Sequence, residues 1–207
     1  MYNTIIENTI YELTEKKSKF IASLTYVENK QDAENKIKEI KKKYHDARHN
    51  CYAYRTLENG NIYEKCSDDG EPSGTAGAPM LNLLQKNNLV NCVIIVTRYF
   101  GGILLGTGGL VRAYSEATLN SIQNTKIEEI ILATEYEIHI DYANFQNFQY
   151  YAKKNKIKIE NFNYCEDVIC NVMVCKRKKE IFLDDIEKKK VVVKELRELK
   201  EKYMKNL

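Results

Sequence analysis

The chain has no run approaching the roughly 18 consecutive apolar residues of a membrane-spanning helix. It has no Cys-x-x-Cys pair among its six cysteines, and only two prolines and nine glycines in 207 residues. The first absence argues against a membrane protein. The opening segment, residues 1–7, also lacks the basic and apolar regions of a signal peptide, so a cytoplasmic protein is expected. The second removes the commonest local spacing for a structural zinc or a redox dithiol. With several cysteines inside apolar, strand-like stretches, reduced thiols are expected, and neither a metal nor a cofactor. The third is informative because of where the exceptions lie. Every glycine and both prolines fall between Gly60 and Gly109, so a chain that avoids unusual backbone elsewhere concentrates it here. Such density points to shaped loops that meet something.

What is present is the composition of a folded globular protein, 43% hydrophobic and 29% charged. The net charge of +3 lies wholly in the C-terminal part: residues 1–130 carry 16 basic and 16 acidic side chains, residues 131–207 carry 16 and 13. The densest basic runs there, Lys176–Lys179 and Lys188–Lys190, fit either phosphate contacts or solvated helix faces.

In chain order, two strands are predicted over about 4–13 and 19–27, then a helix over 30–43 with Ala33, Ile37, Ile40 and Tyr44 as its apolar stripe. A hairpin follows, its Asn59-Gly60 turn setting Leu57 opposite Ile62, Arg55 opposite Glu64 and Ala53 opposite Cys66. That register places His49 near Asp68. The acidic turn Asp68-Asp69-Gly70-Glu71-Pro72 leads into a helix through about Lys86, with Ser73 or Thr75 as its expected cap. Leu89 to Thr97 reads as a strand buried on both faces. It ends in Arg98-Tyr99-Phe100-Gly101-Gly102, and Gly106-Thr107-Gly108-Gly109 opens a helix predicted from about Leu110 to Gln123.

Strand, glycine loop and helix N-terminus form a candidate anion site. Unpaired backbone N–H groups would be joined there by the side chains of Arg98 and Arg112. The candidate binding residues are Arg98, Gly101, Gly102, Gly106, Thr107, Gly108, Gly109 and Arg112. No Gly-Lys-Ser/Thr follows, so this is not a P-loop, and no dinucleotide GxGxxG is present. His49, Asp68, Asp69 and Glu71 are candidates for acid–base or metal chemistry. The structural alternative is that the acidic residues serve the next helix N-terminus or pair with the arginines. Beyond a joint expected between about Lys126 and Glu135, strands are predicted over 135–140, 156–164 and 168–176, and helices over 142–154 and 178–187. Tyr142, Phe145, Phe148 and Tyr151 recur every three residues, which suits a core stripe or base stacking. Residues 190–207 read as strand at Val191–Val193 or as a helix carrying Val192, Leu196, Leu199 and Tyr203.

Several separated motifs, in order, resemble the YigZ/IMPACT family: His45-Asp46-Ala47-Arg48-His49-Asn50 continuing through Ala53-Tyr54-Arg55, Asp68-Asp69-Gly70-Glu71, Gly74-Thr75-Ala76-Gly77, and Val96 through Gly106. The resemblance covers about residues 1–130. It implies an α+β protein: an N-terminal α/β sandwich shared with a ribosomal small-subunit protein, the fourth domain of elongation factor G and certain small-molecule kinases. Residues 131–207 look like the small ferredoxin-like domain of the bacterial branch. Eukaryotic members use a preceding domain to engage the general-control translation pathway, and no such domain is expected here. Two functions follow. One is a translation-associated module contacting RNA or ribosome through the glycine-rich surface; the other is an enzyme acting on a phosphorylated small molecule through a carboxylate or metal site.

Overall fold

A computed structural model describes residues 2–205. The chain divides into two compact units, Met1–Glu129 and Ile130–Leu207. The boundary falls inside one continuous strand rather than in a loop. Among the described residues no helix is long and apolar enough to cross a membrane.

The first unit begins with β1 (Tyr2–Ile5), which bridges to Leu89 through Asn3. Strands β2 (Thr9–Glu15) and β3 (Ser18–Tyr26) form a hairpin whose turn residues Lys16 and Lys17 both have positive φ, 44° and 65°. Helix α1 (Lys30–Lys43) is capped by the Asn29 side chain, which accepts the Asp32 N–H at 2.9 Å, and it buries Ala33, Ile37 and Ile40 as the periodicity predicts. The hairpin β4 (His49–Glu58) and β5 (Asn61–Ser67) has the register that the Asn59-Gly60 turn requires, with Leu57 opposite Ile62, Arg55 opposite Glu64 and Ala53 opposite Cys66. Helix α2 (Gly77–Lys86), strand β6 (Cys92–Tyr99) and helix α3 (Gly106–Gln123) follow.

The sheet order is β2-β3-β6-β4-β5, all antiparallel. Period-two alternation divides its central strand between two cores. Val93 and Ile95 pack with Ala33, Ile37 and Ile40 of α1. Cys92, Ile94 and Val96 pack on the other face with Met80 and Leu84 of α2 and Leu110, Ala113 and Tyr114 of α3. Burial on both faces is what the unbroken apolar run of β6 requires, at about 1.5–3 kcal/mol for each large apolar side chain.

The second unit contains β7 (Ile127–Ile140), α4 (Tyr142–Asn155), β8 (Lys158–Tyr164), β9 (Val168–Cys175), α5 (Lys179–Glu187) and β10 (Glu195–Lys205). β7 pairs with β10 and β9, and β9 with β8, all antiparallel. Phe148 and Ala152 of α4 and Phe182 of α5 pack on Tyr136, Ile138, Val172 and Val174. Of the aromatic stripe of α4, Phe148 is buried, Phe145 and Tyr151 pack partly buried against this core, and Tyr142 is exposed.

One open alternative is decided here and one expectation is corrected. The last element is a strand, β10, starting beyond Val191–Val193, because backbone pairing to β7 over Glu195–Lys205 overrides the helical spacing of Leu196, Leu199 and Tyr203. Helix α3 begins at Gly106, four residues before its predicted start at Leu110. Of the glycines at this start, Gly109 allows close packing, since a Cβ on it would lie 2.9 Å from Leu105 Cβ, and Gly106 takes φ +72° in the left-handed region.

Candidate functional site

Arg98 sits at the end of β6, opposite Phe20 on β3 and His49 on β4. Its place in the alternation, two residues after apolar Val96, puts it on the face that carries α2 and α3. Its side chain is only 7% exposed and that of Glu71 3%; Arg98 Nη1 donates to Glu71 Oε1 at 2.6 Å. Arg98 Nη2 lies 3.4 Å from Ser18 Oγ. The guanidinium stands between the rings of Phe20 and Phe100, 5.4 and 5.7 Å from their centroids, and Arg98 Nε is buried with no hydrogen-bond partner among the described residues.

Glu71 Oε1 also accepts the Tyr114 hydroxyl at 2.8 Å. The Cys51 thiol lies 3.3 Å from Tyr114 Oη and 2.9 Å from the Asp68 carbonyl. Burial, with a smaller contribution from the Glu71, Asp69 and Asp68 charges, pushes the Cys51 thiol up to about 12. Burial also raises Tyr114, and the neighbouring Cys51 and Glu71 add to the shift. Both groups stay protonated near neutral pH, so neither is an activated nucleophile.

The other candidates of the acidic turn have separate duties. The Asp68 carboxylate accepts the N–H groups of Gly74, Ala76 and Gly77 at 2.8–2.9 Å. It thereby caps α2 in place of Ser73 or Thr75: the cap residue Ala76 has no side-chain cap of its own, and Thr75 Oγ1 bonds to the Pro72 carbonyl instead. The Asp69 carboxylate pairs with Lys41 and accepts the Asn50 N–H at 2.7 Å. His49 approaches Asp69 more directly than Asp68, since its Nδ1 lies 2.9 Å from the Asp69 carbonyl. A carbonyl only accepts, so Nδ1 carries the hydrogen and Nε2 remains the ring's second polar atom. Among the described residues no three His, Cys, Asp or Glu side chains are grouped so as to hold a metal ion.

These elements enclose a cleft of about 410 Å³. It is lined by Arg48 and His49, the Gly70–Pro72 turn, Arg98 and Phe100, and residues 104–107 with Leu110 at the start of α3. Of the predicted anion-site residues, Arg98, Gly106 and Thr107 line it. No side chain caps α3, and Gly106, Thr107 and Gly108 of its first turn are exposed. The first N–H groups of a helix lack intrahelical partners and must find water, a side chain or a ligand. Arg112 is exposed one turn further on, with no ion pair among the described residues. Gly101 has a different role: its N–H lies 3.2 Å from Ser18 Oγ, and a Cβ there would stand 2.0 Å from the Lys17 carbonyl carbon. Gly102 has φ +83°, in the left-handed region. Sequence reasoning missed Arg48, which is exposed and unpaired among the described residues, and Phe100, which is half exposed. A signal was available for Arg48, since it directly precedes His49.

The Impact N-terminal domain matches residues 16–122. The IMPACT family member YvyE of Bacillus subtilis is 39% identical over 167 residues, covering 81% of this chain and 76% of YvyE. The IMPACT family member YigZ of Escherichia coli is 34% identical, over 76% of this chain and 78% of YigZ. A crystal structure described only as that of a hypothetical protein superposes with a TM-score of 0.66 at 28% identity, over 96% of this chain and 97% of the other. The chain belongs to the IMPACT family, and its bacterial relatives YvyE and YigZ match it over most of its length.

Proposed function

We propose that the protein is a translation-associated binding module that contacts RNA phosphates at the cleft where α3 begins. The observation that carries this reading is the pairing of an uncapped helix start with two exposed, unpaired cations, Arg48 and Arg112. Two carboxylates of the acidic turn are already paired with other cations, Asp69 with Lys41 and Glu71 with Arg98, while Asp68 keeps its charge and directs it at three backbone N–H groups leading into α2. The link to translation comes from the family resemblance, in which the first unit is a sandwich of the elongation-factor-G type and the second is ferredoxin-like. The Lys176–Lys179 run is a weaker contact surface, because Lys176, Lys178 and Lys179 already meet Glu201, the Asn155 carbonyl and Glu198. The enzyme alternative needs a free carboxylate or thiolate at the cleft. Each carboxylate of the turn already has protein donors, and the Cys51 thiol is held protonated.

The test is RNA binding as a function of salt. Each neutralised phosphate releases condensed counterions, so a log–log slope of roughly −0.7 per single-strand contact is expected. Arg112→Ala is expected to weaken binding and reduce the slope magnitude by about one such contact. Binding that is absent at low salt, or that ignores salt, would remove this function.

A further inference from the structure

The rim of the cleft carries a second kind of chemistry. Leu104 is 82% exposed, Phe100 48% and Ile103 43%. Single exposed apolar residues are ordinary on a protein surface, but three within five positions beside a cationic cleft form a patch. The Arg98 guanidinium lies over the Phe100 ring, 5.7 Å from its centroid, and is itself held by Glu71. A flat, half-exposed aromatic ring held next to arginines is the arrangement on which nucleobases stack. The cleft volume of about 410 Å³ lies toward the lower end of small-ligand sites and suits one compact unit. Within that space Arg48 and the first N–H groups of α3 offer donors to phosphate, and His49 Nε2 offers a polar partner for a sugar hydroxyl.

We propose that the cleft takes a single nucleoside monophosphate unit, with its phosphate at Arg48 and the start of α3 and its base against Phe100 and Leu104. The unit can be a free nucleotide or the 5′-phosphorylated end of an RNA chain. The proposal rests on the phosphate-binding reading above and adds recognition of the base. It makes Phe100 a specificity residue.

Calorimetric titration of the full chain with AMP, adenosine and inorganic phosphate tests it, repeated on Phe100→Ala and Arg48→Ala. Both altered side chains are solvent-facing, and unchanged circular dichroism and melting of each variant verify the fold. AMP is expected to bind at least about tenfold tighter than either inorganic phosphate or adenosine, one stacked base being sufficient for that factor. Phe100→Ala is expected to weaken AMP about tenfold and leave inorganic phosphate unchanged, whereas Arg48→Ala weakens both. Competition with a short RNA, with and without a 5′-phosphate, separates the sources. Displacement of AMP by the phosphorylated form alone identifies the RNA end, and displacement by neither identifies the free nucleotide. AMP binding no tighter than inorganic phosphate, or untouched by Phe100→Ala, overturns the proposal. If salt-dependent, Arg112-sensitive RNA binding persists in that case, the proposed function stands without the nucleotide site.

Discussion

Asp68 lies in an acidic turn that looks catalytic, yet its two oxygens hold the start of α2. Burial disfavours its charged form, but the N–H groups of Gly74, Ala76 and Gly77 together outweigh this and hold its carboxyl below the ordinary 3.8. A group whose folded pKa is depressed contributes stability that is complete above its unfolded value, and that is lost as pH falls through the folded value. Asp68→Ala is therefore expected to cost about 1–2 kcal/mol at neutral pH, the usual effect of removing a helix cap. That cost should shrink below pH 3.8 as the wild-type carboxyl is protonated. Urea denaturation of both proteins at neutral and acid pH measures it, and a cost independent of pH would mean that the charge on Asp68 is not what holds the helix. The Glu71–Arg98 pair follows a related logic. Removing one partner of a buried ion pair strands the other charge and typically costs about 3–5 kcal/mol. The pair thus anchors the cleft floor.

The loop and first turn from Gly101 to Gly109 use glycine for different reasons. At Gly101 the Lys16–Lys17 turn lies against the backbone, and a Cβ would meet Lys17 at 2.0 Å. At Gly108 the nearest heavy atom, Arg112 Nη1, would be 3.7 Å away, an ordinary contact. Gly101→Ala is expected to destabilise the protein by about 1–3 kcal/mol or more, since backbone must move to admit the methyl group. Gly108→Ala should be neutral or stabilising by up to about 1 kcal/mol, because alanine loses less entropy than glycine inside a helix. Thermal melts of the two variants check the contrast, and equal effects would overturn the assignment of Gly101 to close packing.

Over the whole molecule, the backbone of β7 is continuous from Ile127 to Ile140, across the boundary between the two units. The period change beyond Gln123 predicts a joint between about Lys126 and Glu135; the division between the two units falls within that span, and no loop interrupts the strand there. Residues 102–104 are exposed and outside regular structure. Proteases cut exposed loops in preference to hydrogen-bonded strands. Brief chymotrypsin digestion is therefore expected to cleave first after Phe100 or Leu104, and AMP should slow that cleavage. Mass spectrometry of the first fragments decides it, and initial cuts within residues 127–140 would contradict the order of local stability described here.

The elements whose character is local were legible in the sequence. The Asn59-Gly60 turn sets its own register, because both turn residues take positive φ (50° and 81°) and fix the strand partners. The stripe of Ala33, Ile37 and Ile40 defines α1, and the unbroken apolar run of β6 announces burial on two faces. The glycine-rich stretch likewise located the cleft, since shaped backbone must be encoded where it occurs. What the tertiary structure decided is partnership between groups far apart in the chain. Asp68 became the cap of a helix beginning nine residues later, Glu71 the counter-ion of Arg98, and residues 195–205 a strand despite a helical spacing. Each outcome depends on which donor or strand edge the fold brings within hydrogen-bond distance, and no periodicity within a single segment encodes that.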